Sequence, residues 1–219
     1  MKILAGTDFH GDEEAVRRFG SKAEEVKADV LVICGDITHF GSVQEAKDLL
    51  MLLVELRLPL LFVPGNCDPP SLVGVDVEGA YCLHGRYKSY DDVTFLGIGG
   101  GPISPFSTPF EMTEEEINDL LTREAEKLSI NRWFMLVSHT PPKNTKIDRT
   151  YSGKHIGSES IRRFIEEKKP CVVFCGHVHE ADGTDKIDGT VLVNPGAARH
   201  GKCVLVSLDK EIEVQLDCL

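Results

Sequence analysis

Seven side chains suited to holding divalent cations stand just after short apolar runs in this 219-residue sequence. Asp8 and His10 follow "KILAGT", and Asp36 follows "DVLVIC" and one glycine. Asn66, with Cys67 and Asp68 behind it, follows "PLLFVP" and Gly65. His139 follows "WFMLVS", and His177 and His179 follow "CVVFC" and a glycine. Each item alone has an ordinary explanation, since an Asp after a strand is a common loop cap and a histidine is often a satisfied core or surface residue. Five apolar runs that all end in an oxygen or imidazole donor point to one shared site. In extended backbone, residues two apart face the same side, so the His177 and His179 rings could aim at one point. Carboxylates and imidazoles without paired cysteines suit Mn2+, Fe2+, Zn2+ or Ni2+. Seven donors exceed the need of a single ion and fit two ions roughly 3.5–4 Å apart that share one carboxylate.

The elements that would position these residues alternate. Residues 2–7, 29–34 and 59–64 read as strands. Between them, apolar residues at helical spacing (Ala15, Val16, Phe19, Ala23, Val26) predict a helix over 12–27, and 42–56 predicts another, with Met51 and its neighbouring leucines in the core. This βαβαβ pattern argues for parallel strands covered by helices, whose ligands gather at the carboxyl ends of the strands. Residues 77–99 read as short strands joined by turns, 100–112 as a flexible loop, and Thr113 with Glu116 as a capping box opening a helix to about Lys127. A strand at 133–139, a polar loop to 156, a helix at 158–168 ended by Pro170 and a strand at 171–175 follow. The tail from Gly189 reads as a strand, a glycine-rich loop and a hairpin. The expected architecture is one α/β domain over residues 1–219 with a mixed two-sheet core.

The composition fits such a globule: 42% of residues are hydrophobic and 27% charged. No apolar run approaches a membrane span of roughly 20 residues, and the first apolar run is too short for a secretory signal. Seven cysteines, an odd number without a CxxC pair, suggest buried thiols in a reducing cytoplasm. A net charge of −11 argues against extended nucleic-acid binding, while leaving open a small anionic substrate drawn in by bound metal.

Taken in order, "GTDFHG", "CGDITHFG", "PGNCD", "SHTPP" and "CGHVH" resemble the signature of the calcineurin-like metallophosphoesterases (D-x-H, G-D, G-N-H-D, H, G-H-x-H), and the resemblance spans residues 4 to 200. It implies that fold: two mixed β-sheets packed as a sandwich with helices outside, a four-layer αββα arrangement. It also implies that Asp8, His10, Asp36 and His179 hold a first metal, and that Asp36, Asn66, His139 and His177 hold a second, with Asp36 bridging. The cofactors implied are two divalent ions, Mn2+ foremost, with Fe2+, Ni2+ or Zn2+ sharing these ligands. The chemistry implied is attack on a phosphate ester by metal-activated hydroxide. Two ions carry +4; two aspartates and a hydroxide leave the site near +1, able to attract an anionic ester inside an acidic protein.

One departure stands out. Where the commonest family form has a histidine after the asparagine, this chain has Cys67, a weaker proton donor that carries no positive charge near neutrality. The "GNCD" variant resembles a compact prokaryotic and archaeal subgroup associated with phosphodiester hydrolysis. That favours a phosphodiesterase over a phosphomonoesterase, with Cys67 either catalytic or a packed filler and His39 able to supply the missing proton. Asp36, Asn66, Cys67 and His39 are thus the candidate catalytic residues. Weaker candidates for substrate contact are Lys143, Lys146, Arg149, Tyr151, Lys154 and His155 in the loop after His139, and Asn194, Arg199 and His200 near the end. The alternatives are a protein phosphatase of the superfamily, although "GDITHFG" lacks that group's arginine, a repair-type nuclease, and a scaffold that keeps the fold without the chemistry. The substrate could be a cyclic nucleotide, a nucleic-acid end, a lipid-derived diester or a dinucleotide.

Overall fold

A computed structural model describes residues 1–128 and 132–219. The chain runs β1 (Lys2–Gly6), α1 (Glu13–Val26), β2 (Val30–Ile33), α2 (Val43–Val54), β3 (Leu60–Phe62), β4 (Ala80–Cys82), β5 (Arg86–Tyr90), β6 (Val93–Ile98). It continues with β7 (Gly101–Pro102), β8 (Glu111–Met112), α3 (Glu114–Ala125), β9 (Trp133–Ser138), α4 (Glu159–Lys168), β10 (Val172–Phe174), β11 (Gly183–Ile187), β12 (Thr190–Asn194), β13 (Lys202–Leu208) and β14 (Ile212–Cys218). Each α-helix begins on a side-chain cap: Asp12, Ser42, Thr113 and Ser158 accept the amides of Ala15, Glu45, Glu116 and Ile161. Such a cap contributes about 1 kcal/mol, and the expected Thr113–Glu116 capping box is present.

Two six-stranded sheets form the centre. One has the order β14-β13-β1-β2-β3-β4, the other β11-β12-β10-β9-β6-β5. Strands β1 to β4 run parallel in the first sheet, where β13 joins antiparallel beside β1 and β4 is the edge; β12, β10, β9 and β6 run parallel in the second, flanked by antiparallel β11 and β5. Alternation along the strands builds three apolar layers. Ile3, Ala5, Val30 and Val32 face Met135, Val137, Val172 and Phe174 between the sheets. Leu4, Leu31 and Ile33 point the other way onto Phe19, Leu50 and Leu53 of α1 and α2. On the far side Leu136 and Val173 meet Ile117, Leu121, Ile161 and Phe164 of α3 and α4. Strands covered on both faces must be apolar at every position, which is why they stand out as unbroken hydrophobic runs. The four-layer αββα arrangement is as the sequence implies.

Three local expectations change. Met51 is 42% exposed, because the helical period turns Leu49, Leu50 and Leu53 inward and Met51 outward. Residues 100–112 are a built turn rather than a free loop. β7 and β8 pair, and the Glu111 carboxylate accepts the Ser104 hydroxyl and both the amide and hydroxyl of Thr108. Finally, β11 adds an edge strand that the hydrophobic pattern does not mark: "GTDKI" buries only Ile187.

Candidate metal centre

The loops that leave β1, β2, β3, β9 and β10 meet at one end of the sandwich. Backbone hydrogen bonds join the first two: the Asp8, His10 and Gly11 amides donate to the Gly35, Asp36 and Ile37 carbonyls at 3.0, 2.9 and 2.9 Å. Asp8, His10, Asp36 and His177 all adopt left-handed backbone, with φ of 57°, 50°, 50° and 69°. Such conformations cost non-glycine residues on the order of 1–3 kcal/mol each and persist where surrounding structure over-determines them. The expectation of His177 and His179 on one side of an extended segment is therefore corrected. A tight turn, closed by the Val178 amide on the Gly176 carbonyl at 2.8 Å, sends the two rings to different partners.

His179 Nε2 lies 3.1 Å from Asp8 Oδ1 and 3.2 Å from His10 Nε2, and His10 Nε2 lies 3.6 Å from Asp36 Oδ2. On the other side His139 Nε2 lies 2.8 Å from Asn66 Oδ1 and 3.5 Å from Asp36 Oδ1, with the His177 ring centred 5.1 Å from that of His139. The seven donors thus fall into two groups, and Asp36 offers one oxygen to each.

The donor chemistry of both groups fits a cation. His139 Nδ1 sits 2.8 Å from the Cys34 carbonyl, which can only accept, so Nδ1 carries a proton and Nε2 is the nitrogen turned into the pocket. That nitrogen faces the Asn66 side-chain oxygen and the Asp36 carboxylate, a set of acceptors that needs a proton or a cation between them. The titration behaviour says the same. Burial by itself depresses the His139 pKa, yet the Asp36 and Asp8 carboxylates outweigh it and raise the pKa, so the pocket calls for positive charge. Burial also pushes Asp8 upward, but the hydrogen bond from His179 and the charges of His139, His179 and His10 hold it well below the usual range. Asp36 is raised to about 6 by burial, and the charges of Asp8 and Asp68 push the same way. His10 and His177 fall to about 3, each mainly through burial, which leaves neutral imidazoles of the kind that bind metal. Among the described residues, two sets of His and Asp side chains have donor atoms within 4.8 Å of one another here, Asp8/His10/His179 and Asp8/Asp36/His139.

The supports of this site are less visible in the sequence. Asp68 is fully buried and accepts four hydrogen bonds: Gly65 N at 2.8 Å, Ile37 N at 3.0 Å, and Thr38 N and Oγ1 at 2.8 Å each. It clamps the Asp36 loop to the Asn66 loop. The Cys67 amide donates to Asp36 Oδ1 at 2.8 Å. Two glycines allow the close packing. A Cβ on Gly65 would strike the Asp36 carboxylate, and one on Gly176 would strike Thr7 Oγ1 and the Asp8 carboxylate. Asn194 is also a brace, in place of the substrate contact considered for it: Nδ2 donates to the Val178 carbonyl at 2.8 Å and Oδ1 accepts the Gly196 amide at 2.9 Å. Both ends of its side chain are engaged.

The remaining candidates divide. Cys67 is buried beside Asn66, and burial together with the negative charge of Asp36 raises its thiol pKa far above neutrality, so it stays protonated. His39 is exposed, its Nδ1 3.1 Å from His10 Nδ1, and it forms with His10 and Cys67 a third close group. In the loop after His139, Lys143 pairs with Glu159 and His155 with the buried Asp148, which also accepts the Asn144, Thr145 and Gly157 amides. These contacts tie the loop down. Tyr151 stands free at 92% exposure, its amide held by Glu180, next to His179. His200 is exposed, and Arg199 lies near His10.

Among the described residues no helix is long and apolar enough to cross a membrane. The chain is 42% identical over 200 residues to MJ1162 of Methanocaldococcus jannaschii, covering 89% of this chain and 88% of that protein. It is 23% identical over 186 residues to a protein of Vesicomyosocius okutanii named a probable cyclic nucleotide phosphodiesterase, covering 84% and 76%. Its fold resembles that of TT1561 from Thermus thermophilus, with a TM-score of 0.75 at 20% identity over 98% of this chain and 97% of that one. A structure described as a novel archaeal phosphodiesterase superposes with a TM-score of 0.60 at 15% identity over 100% of both chains. The family profile described as calcineurin-like phosphoesterase matches residues 1–181. The chain is a member of the calcineurin-like phosphoesterase family.

Proposed function

We propose that the protein is a dinuclear-metal-dependent hydrolase of phosphate esters that prefers phosphodiesters. The observation that carries this reading is the split of seven donors into two groups with one Asp36 oxygen in each. Asp8, His10, Asp36 and His179 would hold one divalent ion, and Asp36, Asn66, His139 and His177 the other. Bound there, such ions would activate water as the nucleophile and polarise the phosphoryl oxygens.

The chain's own residues set the conditions. Asn66 offers a neutral oxygen, which keeps the site cationic. His139 is held by the Cys34 carbonyl through Nδ1–H, which turns Nε2 towards the pocket. His39 faces His10 through Nδ1; with His10 bound through Nε2, the His10 Nδ1–H donates to His39, whose own proton then sits on Nε2. His39 thus turns an N–H towards the departing oxygen. The Cys67 thiol, kept neutral by burial, is no stronger an acid. A site without a strong acid favours esters whose leaving group departs easily, and a monoanionic diester suits its modest positive charge. Exposed Phe40, whose amide is fixed on the Cys67 carbonyl, gives an organic substituent of a diester an aromatic surface beside the site.

We place the enzyme in the cytoplasm, in keeping with seven unpaired thiols, most of them buried. Its substrate is a small ester, since the net charge of −11 disfavours extended nucleic acid. The test is a paired assay of bis-nitrophenyl and nitrophenyl phosphate after chelation and reloading with Mn2+, Fe2+, Ni2+ or Zn2+. A cyclic nucleotide belongs in the same panel, given the name of the Vesicomyosocius relative. Metal-dependent turnover with a diester preference is expected; turnover that survives chelation, or none with any reloaded metal, overturns the proposal.

A further inference from the structure

Arg199 is a cation without a counterpart in a chain rich in acids. The sequence holds 35 acidic and 24 basic residues, so a surface arginine has carboxylates to choose from. The Arg199 guanidinium nevertheless makes neither hydrogen bond nor ion pair with any described residue, and its Nε is the single buried side-chain nitrogen or oxygen among them without a partner. The residue is half-buried, so water does not freely replace the missing acceptor. A donor left in that state costs free energy unless something else completes it.

Its position indicates what that could be. Arg199 lies in the short turn Ala198–His200, ahead of β13, and the turn is tied to the loop that carries Asp8. Thr7 and Ala197 form a bridge, the Ala198 amide donates to the Thr7 carbonyl at 2.8 Å, and the Arg199 amide approaches the Asp8 carbonyl at 3.5 Å. The turn packs on α1. Arg199 is therefore held against the loop that carries Asp8 and His10, from a point in the sequence far from every candidate ligand except the last two. The side chain is a rigid fork of donors that matches two oxygens of a phosphate.

We infer that Arg199 is a substrate-binding arm of the site, whose guanidinium receives a phosphate oxygen of the ester on the His10 side of the centre. The inference rests on the phosphoesterase reading for its ligand, and it adds a positioning contact that the metal donors do not provide. Arg199 would fix the orientation of the phosphoryl group and add a positive charge to the approach.

The probe is inorganic phosphate, titrated calorimetrically into metal-loaded wild type, Arg199→Met and Arg199→Lys, with metal content measured for each. Loss of the charged fork is expected to weaken phosphate binding about tenfold or more in Arg199→Met, and less in Arg199→Lys. KM for bis-nitrophenyl phosphate should rise with it, more than kcat falls. Wild-type phosphate affinity and KM in Arg199→Met at full metal loading would overturn the inference. Should that variant fold poorly, the wild type decides: phosphate must slow the modification of Arg199 by phenylglyoxal, and equal rates with and without phosphate are contrary. Phosphate binding that depends on Arg199 in a protein that cleaves no ester would sink the phosphoesterase reading and leave this one standing. Turnover indifferent to Arg199 would do the reverse.

Discussion

Removing the Asp68 carboxylate should unfold the site before it affects any metal donor. Asp68→Ala strands the amides of Gly65, Ile37 and Thr38 and the Thr38 hydroxyl, all within 3.0 Å of the carboxylate. A buried donor without a partner costs about 1–3 kcal/mol, which gives a gross loss of roughly 4–12 kcal/mol for four. Part of that is offset. Burial raises the Asp68 pKa despite the hydrogen bonds from Gly65, Thr38 and Ile37, so the ionised carboxylate itself weighs against the folded state, and the vacated space can admit water. A net destabilisation of about 3–5 kcal/mol follows, in the range seen when a buried charged group is stripped from its partners. For a chain of this size that lowers the melting temperature by roughly 6–20 °C. Asp68→Asn keeps one acceptor for Thr38 but turns an NH2 group towards the other amides, and should lose about 2 kcal/mol. The assay is urea unfolding of the chelated protein, which separates the clamp from metal binding. The same variants, reloaded, should bind metal about 10–100-fold more weakly, as loss of outer supports does elsewhere. Metal-free Asp68→Ala within about 0.5 kcal/mol of wild type, the ordinary scatter of surface substitutions, would refute the clamp.

Acidification should destabilise the metal-free protein between about pH 6 and pH 4. The depressed pKa values of His10 and His177, about 3 each, give stability present above the unfolded histidine value and lost as pH falls through the folded one. The raised value of Asp36, about 6, acts oppositely, with its contribution present below the unfolded aspartate value and lost as pH rises. The Asp68 pKa is raised too, so its proton also counts on the folded side; two histidine protons on the unfolded chain against these leave a slope of at most about 1.4 kcal/mol per pH unit, and a urea midpoint that rises on acidification would contradict it. Asn66→Ala and His177→Ala should each abolish turnover with little change in unfolding, whereas activity in both at matched metal loading would reject the two-metal assignment. Cys67→His should raise monoester relative to diester hydrolysis; an unaltered ratio would leave Cys67 as packing.

The strands were legible because their burial is one-dimensional information. Val30–Ile33 is buried at all four positions, and such a strand has no polar face to disguise it. β11 failed the same reading for the converse reason: an edge strand with one face open keeps Thr184 and Lys186 in solvent and carries no apolar run. The seven candidate donors were legible because they are of types that suit divalent cations and stand immediately after the strands that aim them. Even there the backbone departs from the extended form. His177 and His179 look like neighbours on an extended segment, but the left-handed turn at His177 divides them between two groups.

The residues that hold the donors in place leave a weaker trace, because their partners are main-chain groups that every residue possesses. Asp68 needs only a carboxylate within reach of the Gly65, Ile37 and Thr38 amides, and Asn194 only an amide side chain near the Val178 carbonyl and the Gly196 amide. No residue type in the partner announces either contact. Arg199 is harder still, for its meaning lies in a partner that is missing: thirty-five acids in the sequence suggest a pairing, and only the folded chain shows that none is made with the described residues. With two metal ions held by the neighbouring carboxylates, a cation so placed would add to the positive charge that an anionic ester meets on its approach.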